Sequence, residues 1–178
     1  RAPSRRNGRA ERCRLGIGRS YQIPHPFSGM TVFENLLVAA TFGGEKKEHD
    51  AYPICIEVLR QTGLIKKANQ LAGSLTLLDR KRLELSRSLA TSQKLLLLDE
   101  IAGGLTEHEA KELVDEIKLI KASGVSIVWI EHVVHALLAV ADRLLVINFG
   151  AMLAEGLPSD VMENSDVKRV YMGIEIQG

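Results

Sequence analysis

Two short apolar runs end in polar residues that could handle a metal ion and a phosphate. Residues 95–98 (LLLL) lead into Asp99-Glu100, and residues 125–130 (VSIVWI) lead into Glu131-His132. If both runs are strands and near neighbours, three carboxylates and an imidazole gather on one rim. Hard oxygen ligands of this kind suit Mg²⁺, which takes one or two carboxylates plus substrate phosphates. A second carboxylate beside the metal can polarise an attacking water. An imidazole can bond a phosphate oxygen or orient that water. An acidic pair after a strand also serves as an ordinary helix N-cap or solvated turn. The matching Glu131-His132 on a second strand tips the reading toward chemistry. His25, His49, His108 and His135 stand alone in the sequence and are expected to be structural or solvated.

Holding such a rim requires strands buried on both faces and helices that cross over between them. The run at 95–98 is uniformly apolar, as a doubly covered strand should be. Its flanks, Asp99-Glu100 and then Gly103-Gly104, separate it from a helix. Further strands are expected at 125–130 and 143–148, with 151–155 as the hairpin partner of the latter. Thr31-Val32-Phe33-Glu34 and Thr106-Glu107-His108-Glu109 both match the capping box that opens a helix. The first helix carries Val32, Phe33, Leu36, Leu37 and Ala40 on one face and stops at Gly43-Gly44. Others are expected at about 52–62, from about 79 onward, to about 122, at 134–141, and at 159–163 and 167–172. Arg80, Lys81, Arg82 and Arg87 are expected on the wetter sides of the helix that begins near Asp79. Strand, helix, strand, helix, strand is the order of an open parallel α/β sheet with right-handed crossovers. Ligands of such sheets sit at the carboxyl ends of the strands.

With 178 residues, 46% hydrophobic and 25% charged, the chain can bury a core. A net charge of +1 gives no global attraction to nucleic acid. Arginines cluster locally at positions 1, 5, 6, 9, 12, 14 and 19, and residues 1–14 lack apolar periodicity, so they are expected to form a loose basic arm. Cys13 and Cys55 form no CxxC pair, which fits a reducing compartment. No apolar run approaches the roughly 20 residues that span a bilayer. The arginine-rich start lacks the apolar stretch of a signal peptide. Any membrane role is therefore expected to run through a partner. The first residue is Arg rather than Met, and a fragment, a processed chain or an incompletely read gene is the expectation.

The motifs resemble those of ATP-binding cassette (ABC) transporter ATPases, in order and spacing, from about Arg12 onward. LLLLDE, ending at Glu100, resembles the Walker B strand, and Glu131-His132 the switch-histidine loop. RSYQIP, with Gln22, resembles the Q-loop. The stretch from Leu75-Thr76 through Arg82 sits where the signature motif falls, and Gly103-Gly104-Leu105-Thr106 at the D-loop. The wording of CRLGIGRSYQIPHPFSGMTVFENLLVAA and DRLLVINFGAMLAEGLPSDVMENSDVKRVYMG is similar to the LivG-like ATPases of branched-chain amino acid importers.

The resemblance implies an α/β P-loop NTPase fold, a parallel sheet with a helical subdomain, its N-terminal portion missing. The arm would be residues 1–14 and the partial ATPase domain 15–178. Within that domain the helical subdomain would span about 31–90, the α/β core about 91–155 and the closing helices about 158–173. It implies ATP and Mg²⁺ as ligands. Asp99 would hold Mg²⁺, Glu100 would be the general base, His132 would meet the γ-phosphate, and Gln22 would reach the metal and the attacking water. Thr76 and Thr106 would face nucleotide phosphates across a dimer of ATPase subunits. Transmembrane permease subunits and a second ATPase subunit are the implied partners, at the cytoplasmic face of the membrane.

Departures from the pattern are specific. No GxxxxGK[ST] occurs in the sequence, so the backbone cradle and lysine that such a loop offers to phosphates are not among these residues. On that ground the chain alone is expected neither to bind ATP tightly nor to turn it over. The signature's usual Ser-Gly-Gly reads Thr76-Leu77-Leu78, which places side chains where bare backbone would approach a phosphate. Ile101 stands where a proline is usual, and Thr106 where an acid or amide is usual. A rival reading is a degenerate subunit that docks on a membrane partner or a competent ATPase without chemistry. A DNA-repair ATPase of the same superfamily fits less well. Only about 50 residues separate Gln22 from Leu75, with no sustained heptads for a coiled coil.

Overall fold

Ile17–Arg19 (β1), Leu95–Asp99 (β2) and Ser126–Ile130 (β3) lie parallel in the order β1-β2-β3. The computed structural model describes residues 8–171, which divide into two units, one ending at Ala136 and one starting at Leu137. β2 is central in the sheet because its leucines are apolar on both faces: Leu96 and Leu98 are buried, and Leu95 and Leu97 half-buried. On the face shared by Leu95 and Leu97, β3 contributes Val128 and Ile130, which are 52% and 64% exposed. β1 was not expected from the sequence. It is three residues long, and its middle residue is a glycine, Gly18, packed closely on Gln93: a Cβ there would sit 2.7 Å from Gln93 Cγ and force that side chain to shift.

The basic start also differs from the expectation. Arg9–Arg14 form a short helix, α1, with no buried residue, and residues 1–7 of the expected arm lie outside the described ones. Val32–Val38 (α2) opens with the expected capping box at Thr31 and Glu34. A π-helical turn at Ala39–Gly43 leads to Glu48–Gln61 (α3), which starts four residues earlier than the apolar pattern indicates. Pro53 lies in the second turn of α3, after acidic Glu48 and Asp50 have favoured its first. Leu77–Ala90 (α4) packs against α2, α3 and β1. Val32, Leu36, Cys55, Leu59, Leu64 and Leu83 are buried together at the centre of this helical cluster.

Glu107–Ala122 (α5) joins β2 to β3, opened by the capping box of Thr106 and Glu109. Its buried stripe is Ala110, Leu113, Val114, Ile117 and Ile120, the 3.6-residue spacing of a helix with one dry face. The charges of α4 correct the sequence expectation. None of Arg80, Lys81, Arg82 and Arg87 is on a wet side; all are buried or half-buried. They are tolerated there mainly by pairing. Arg82 reaches Glu112 at 2.8 Å and Glu116 at 2.6 Å on α5, and Arg87 reaches Glu84 at 3.0 Å.

Val134–Leu138 (α6) is shorter than expected and runs across the division between the units. In the second unit, Leu144–Asn148 (β4) pairs antiparallel with Ala151–Gly156 (β5). The hairpin was expected, but among the described residues β4 pairs with β5 alone and is not a strand of the parallel sheet. Phe149 and Gly150 make the turn with φ of 45° and 79°, the doubly left-handed geometry that matches strand twist. Pro158–Glu163 (α7) and Ser165–Tyr171 (α8) pack on this hairpin, and the Tyr171 hydroxyl donates to the Ile147 carbonyl at 2.9 Å. Among the described residues no helix is long and apolar enough to cross a membrane.

Candidate functional site

The loop that follows β1 is anchored at both ends before it presents a side chain. Ser20 N–H donates to the Leu97 carbonyl at 2.9 Å, which extends the β1–β2 pairing by one step. The Ser88 hydroxyl of α4 donates to the Arg19 carbonyl at 3.2 Å. At the far end, buried Asn35 accepts from Phe27 N–H at 2.9 Å and donates to the Phe27 carbonyl at 3.1 Å. Arg87 donates to the His25 carbonyl at 3.0 Å and lies 5.0 Å over the Phe27 ring. Between these anchors Gln22 extends its amide and donates to Glu100 Oε2 at 2.6 Å.

Glu100 comes from the carboxyl end of β2, where its N–H donates to the Ile130 carbonyl at 2.9 Å. Its φ is 44°, a left-handed conformation that costs on the order of 1–3 kcal/mol in a non-glycine residue and is found preferentially at functional sites. Just beyond β3, His132 brings Nδ1 to 3.8 Å from Glu100 Oε2 and 3.3 Å from Glu131 Oε1. Gln22, Glu100 and His132 thus share one cleft of about 430 Å³, whose other walls include Leu77, Lys81, Gly103 and Gly104. The structure brings these three sequence-identified residues together. Asp99, also expected at the site, is not among the cleft walls and is held by Arg19 at 3.1 Å.

Glu131 does not behave as the sequence suggested. Its side chain is 0% exposed. It accepts from Ala102 N–H at 2.9 Å, His132 N–H at 3.0 Å and Val133 N–H at 3.4 Å. It fastens the loop after β2 to the loop after β3 and is not free on the rim. Thr76 and Thr106 lie outside the cleft walls. Each hydroxyl caps a helix: Thr76 accepts from Asp79 N–H at 3.3 Å and Thr106 from Glu109 N–H at 3.3 Å. Buried Asp79 accepts from the Thr76 hydroxyl and pairs with Lys67, so the N-terminus of α4 carries its own counter-charge. Leu77 packs beside Gly104, where an added Cβ would meet Leu77 Cδ2 at 3.3 Å.

Lys81 is the cleft residue that sequence reasoning missed. Burial pushes its pKa below the ordinary lysine value, while Glu131 and then Glu100 pull it back up. A signal was present: Lys81 lies three residues after Leu78 and four before Leu85, both buried, on the inward stripe of α4.

A parallel sheet with helices, and an amide, a carboxylate and an imidazole converging at its strand ends, defines an α/β ATP-binding cassette architecture. The same architecture is found in an ATP-binding cassette of an ABC transporter, MJ1267 in its ADP conformation. That structure matches with a TM-score of 0.83 and 28% identity over 94% of this chain and 72% of the other. The family model for ABC transporters matches residues 3–103, more than half of the sequence, and the chain belongs to that family. LivG, the high-affinity branched-chain amino acid transport ATP-binding protein of Escherichia coli K12, is 36% identical over 90% of this chain and 69% of its own length. LptB, the ATP-binding protein of the lipopolysaccharide export system of the same organism, is 27% identical over 91% of this chain and 67% of its own.

Proposed function

We propose that the chain is the ATP-hydrolysing subunit of an importer for branched-chain amino acids. The observation that carries the reading is the contact of Gln22 with Glu100 at 2.6 Å, with His132 at 3.8 Å from the same carboxylate oxygen. In that reading Glu100 is the general base that takes a proton from the attacking water, and Gln22 orients that water. His132 stabilises the γ-phosphate. Asp99 and Gln22 offer hard oxygen donors, and among the described residues no cluster of three or more His, Cys, Asp or Glu could hold a metal. This donor set fits a cation that draws its remaining ligands from water and phosphate, as Mg²⁺ does. The sequence contains no GxxxxGK[ST] loop, so turnover on this reading needs a phosphate loop from outside these 178 residues. The greater identity to LivG than to LptB, 36% against 27%, supports amino acids as the cargo. The partners would be transmembrane permease subunits and a second ATPase subunit, with ATP held between the two ATPases at the cytoplasmic face of the membrane.

A second reading is favoured by Leu77, whose side chain reaches the cleft wall beside Gly104. On that reading the chain docks on its partners and performs no chemistry. One experiment separates the two. The chain is co-expressed with the permease and ATPase subunits of a branched-chain amino acid importer, purified as a complex, and assayed for Mg²⁺-dependent phosphate release with substrate-loaded binding protein. The first reading expects release that Glu100→Gln abolishes while co-purification persists. Co-purification with release indifferent to Glu100→Gln establishes the docking reading. The isolated chain is expected to release no phosphate in the same assay.

A further inference from the structure

Among the cations of α4, Lys81 alone has no hydrogen-bond or ion-pair partner among the described residues. Arg80 donates to the Gly73 carbonyl at 2.9 Å, Arg82 pairs with two glutamates of α5, and Arg87 pairs with Glu84. Lys81 is 5% exposed and lines the cleft, yet makes no hydrogen bond and no ion pair within 4.0 Å among the described residues. Its stem is packed away while its Nζ is not among the fully buried unpartnered atoms, so the ammonium is left to the solvent of the cleft and free to meet an anion there. Glu131 and Glu100 attract Lys81 from a distance but supply no contact. Glu131 is committed to three backbone N–H groups, and Glu100 accepts from Gln22. The cleft that Lys81 lines is also walled by Gln22, His132, Gly103, Gly104 and the Glu100 carboxylate, which takes one N–H of the Gln22 amide and leaves the other for a ligand. Three donors from three separate elements around a cleft of about 430 Å³ suit a tetrahedral oxyanion.

We propose that Lys81 is an oxyanion-binding residue of this cleft, its ammonium taking a phosphate group between Gln22 and His132. The proposal deepens the nucleotide reading and rests on it for the terminal phosphate of ATP as the source. A free phosphate offers the same chemistry. Neither the Arg82 and Arg87 pairs nor the Thr76 cap can substitute for Lys81, since each is already occupied.

Trace acetylation of the native wild-type chain, read by peptide mass spectrometry, tests this without any substitution. Labelling of Lys81 is compared in sodium phosphate, in Mg-ATP and in sodium chloride of equal ionic strength, with exposed Lys111 as the internal reference. Protection of Lys81 by phosphate or Mg-ATP, with Lys111 unchanged, supports the proposal, and protection by inorganic phosphate alone assigns the site to free phosphate. Equal protection by chloride, or equal protection of Lys111, overturns it as general screening. In titration calorimetry with the same two probes, Lys81→Met should weaken binding about tenfold or more, whereas Lys81→Arg keeps most of it. Lack of protection overturns the Lys81 site even if the assembled importer hydrolyses ATP. Protection in a complex that never hydrolyses ATP leaves the site standing and removes the catalytic reading.

Discussion

Glu131 shows how a carboxylate can shape a site without taking part in it. Its oxygens accept from the N–H groups of Ala102, His132 and Val133, and its side chain has no exposure. Hydrogen bonds to a charged group are worth roughly 1.5–3 kcal/mol each, and buried donors left unsatisfied add a desolvation penalty. Glu131→Ala should therefore lower stability by about 2 kcal/mol or more. Urea unfolding checks this, and an unchanged midpoint would remove Glu131 as the fastener of the two loops. The sequence placed Glu131 at the right strand end but could not say where its side chain points. A carboxylate directed at backbone donors and one directed at solvent read identically as letters. Glu100 and His132 were legible because strand-end position and order along the chain both marked them, and Gln22 only through its order relative to the other motifs. Lys81 was overlooked despite its spacing from buried leucines, because four cations within eight residues read as a wet helix face when the helix is in fact enclosed.

The helices were legible where local chemistry sets their ends. Both expected capping boxes form, with Glu34 accepting from Thr31 N–H at 2.7 Å and Glu109 from Thr106 N–H at 2.9 Å. Those backbone bonds, and next the threonine hydroxyls, hold both glutamates below their ordinary pKa. A carboxylate depressed in the folded state stabilises the fold above its unfolded pKa and loses that contribution as pH falls through the folded one. Stability should thus decline on the acid side of the ordinary glutamate range, and Thr106→Ala should flatten that limb. At neutral pH the same substitution should cost about 1 kcal/mol, while Thr106→Ser keeps most of the cap. Urea midpoints measured from neutral to acid pH decide it, and an acid limb indifferent to Thr106→Ala contradicts the assignment. Glu116 runs the other way: burial raises its pKa despite the Arg82 bond, so its contribution diminishes as pH rises through its folded value. Elements fixed by distant packing were less legible. β1 has three residues and no alternation to read, and only its register against Leu95–Leu97 makes it a strand.

At the scale of the whole chain, parallel strands are stable because both faces of the sheet are covered. Here Leu96 and Leu98 are buried on one face, while Val128 and Ile130 on the other are 52% and 64% exposed. β3 pairs only with β2 among the described residues, and its SIVWI sequence has none of the lysine or proline that guards a free edge. An apolar face beside an unprotected edge favours association with any complementary strand or apolar surface. The 178-residue chain in isolation is therefore expected to self-associate with rising concentration and to bind an apolar dye such as ANS. Replacing Val128 and Ile130 together by threonine keeps strand propensity and removes much of the apolar surface. Sedimentation velocity of the double variant should show a monomer where the parent shows larger species, with dye fluorescence reduced in parallel. A parent chain that stays monomeric and dye-free at high concentration would mean that this sheet face is covered in solution. An association unchanged by the double substitution would move the sticky surface elsewhere, with exposed Phe42 next to be substituted.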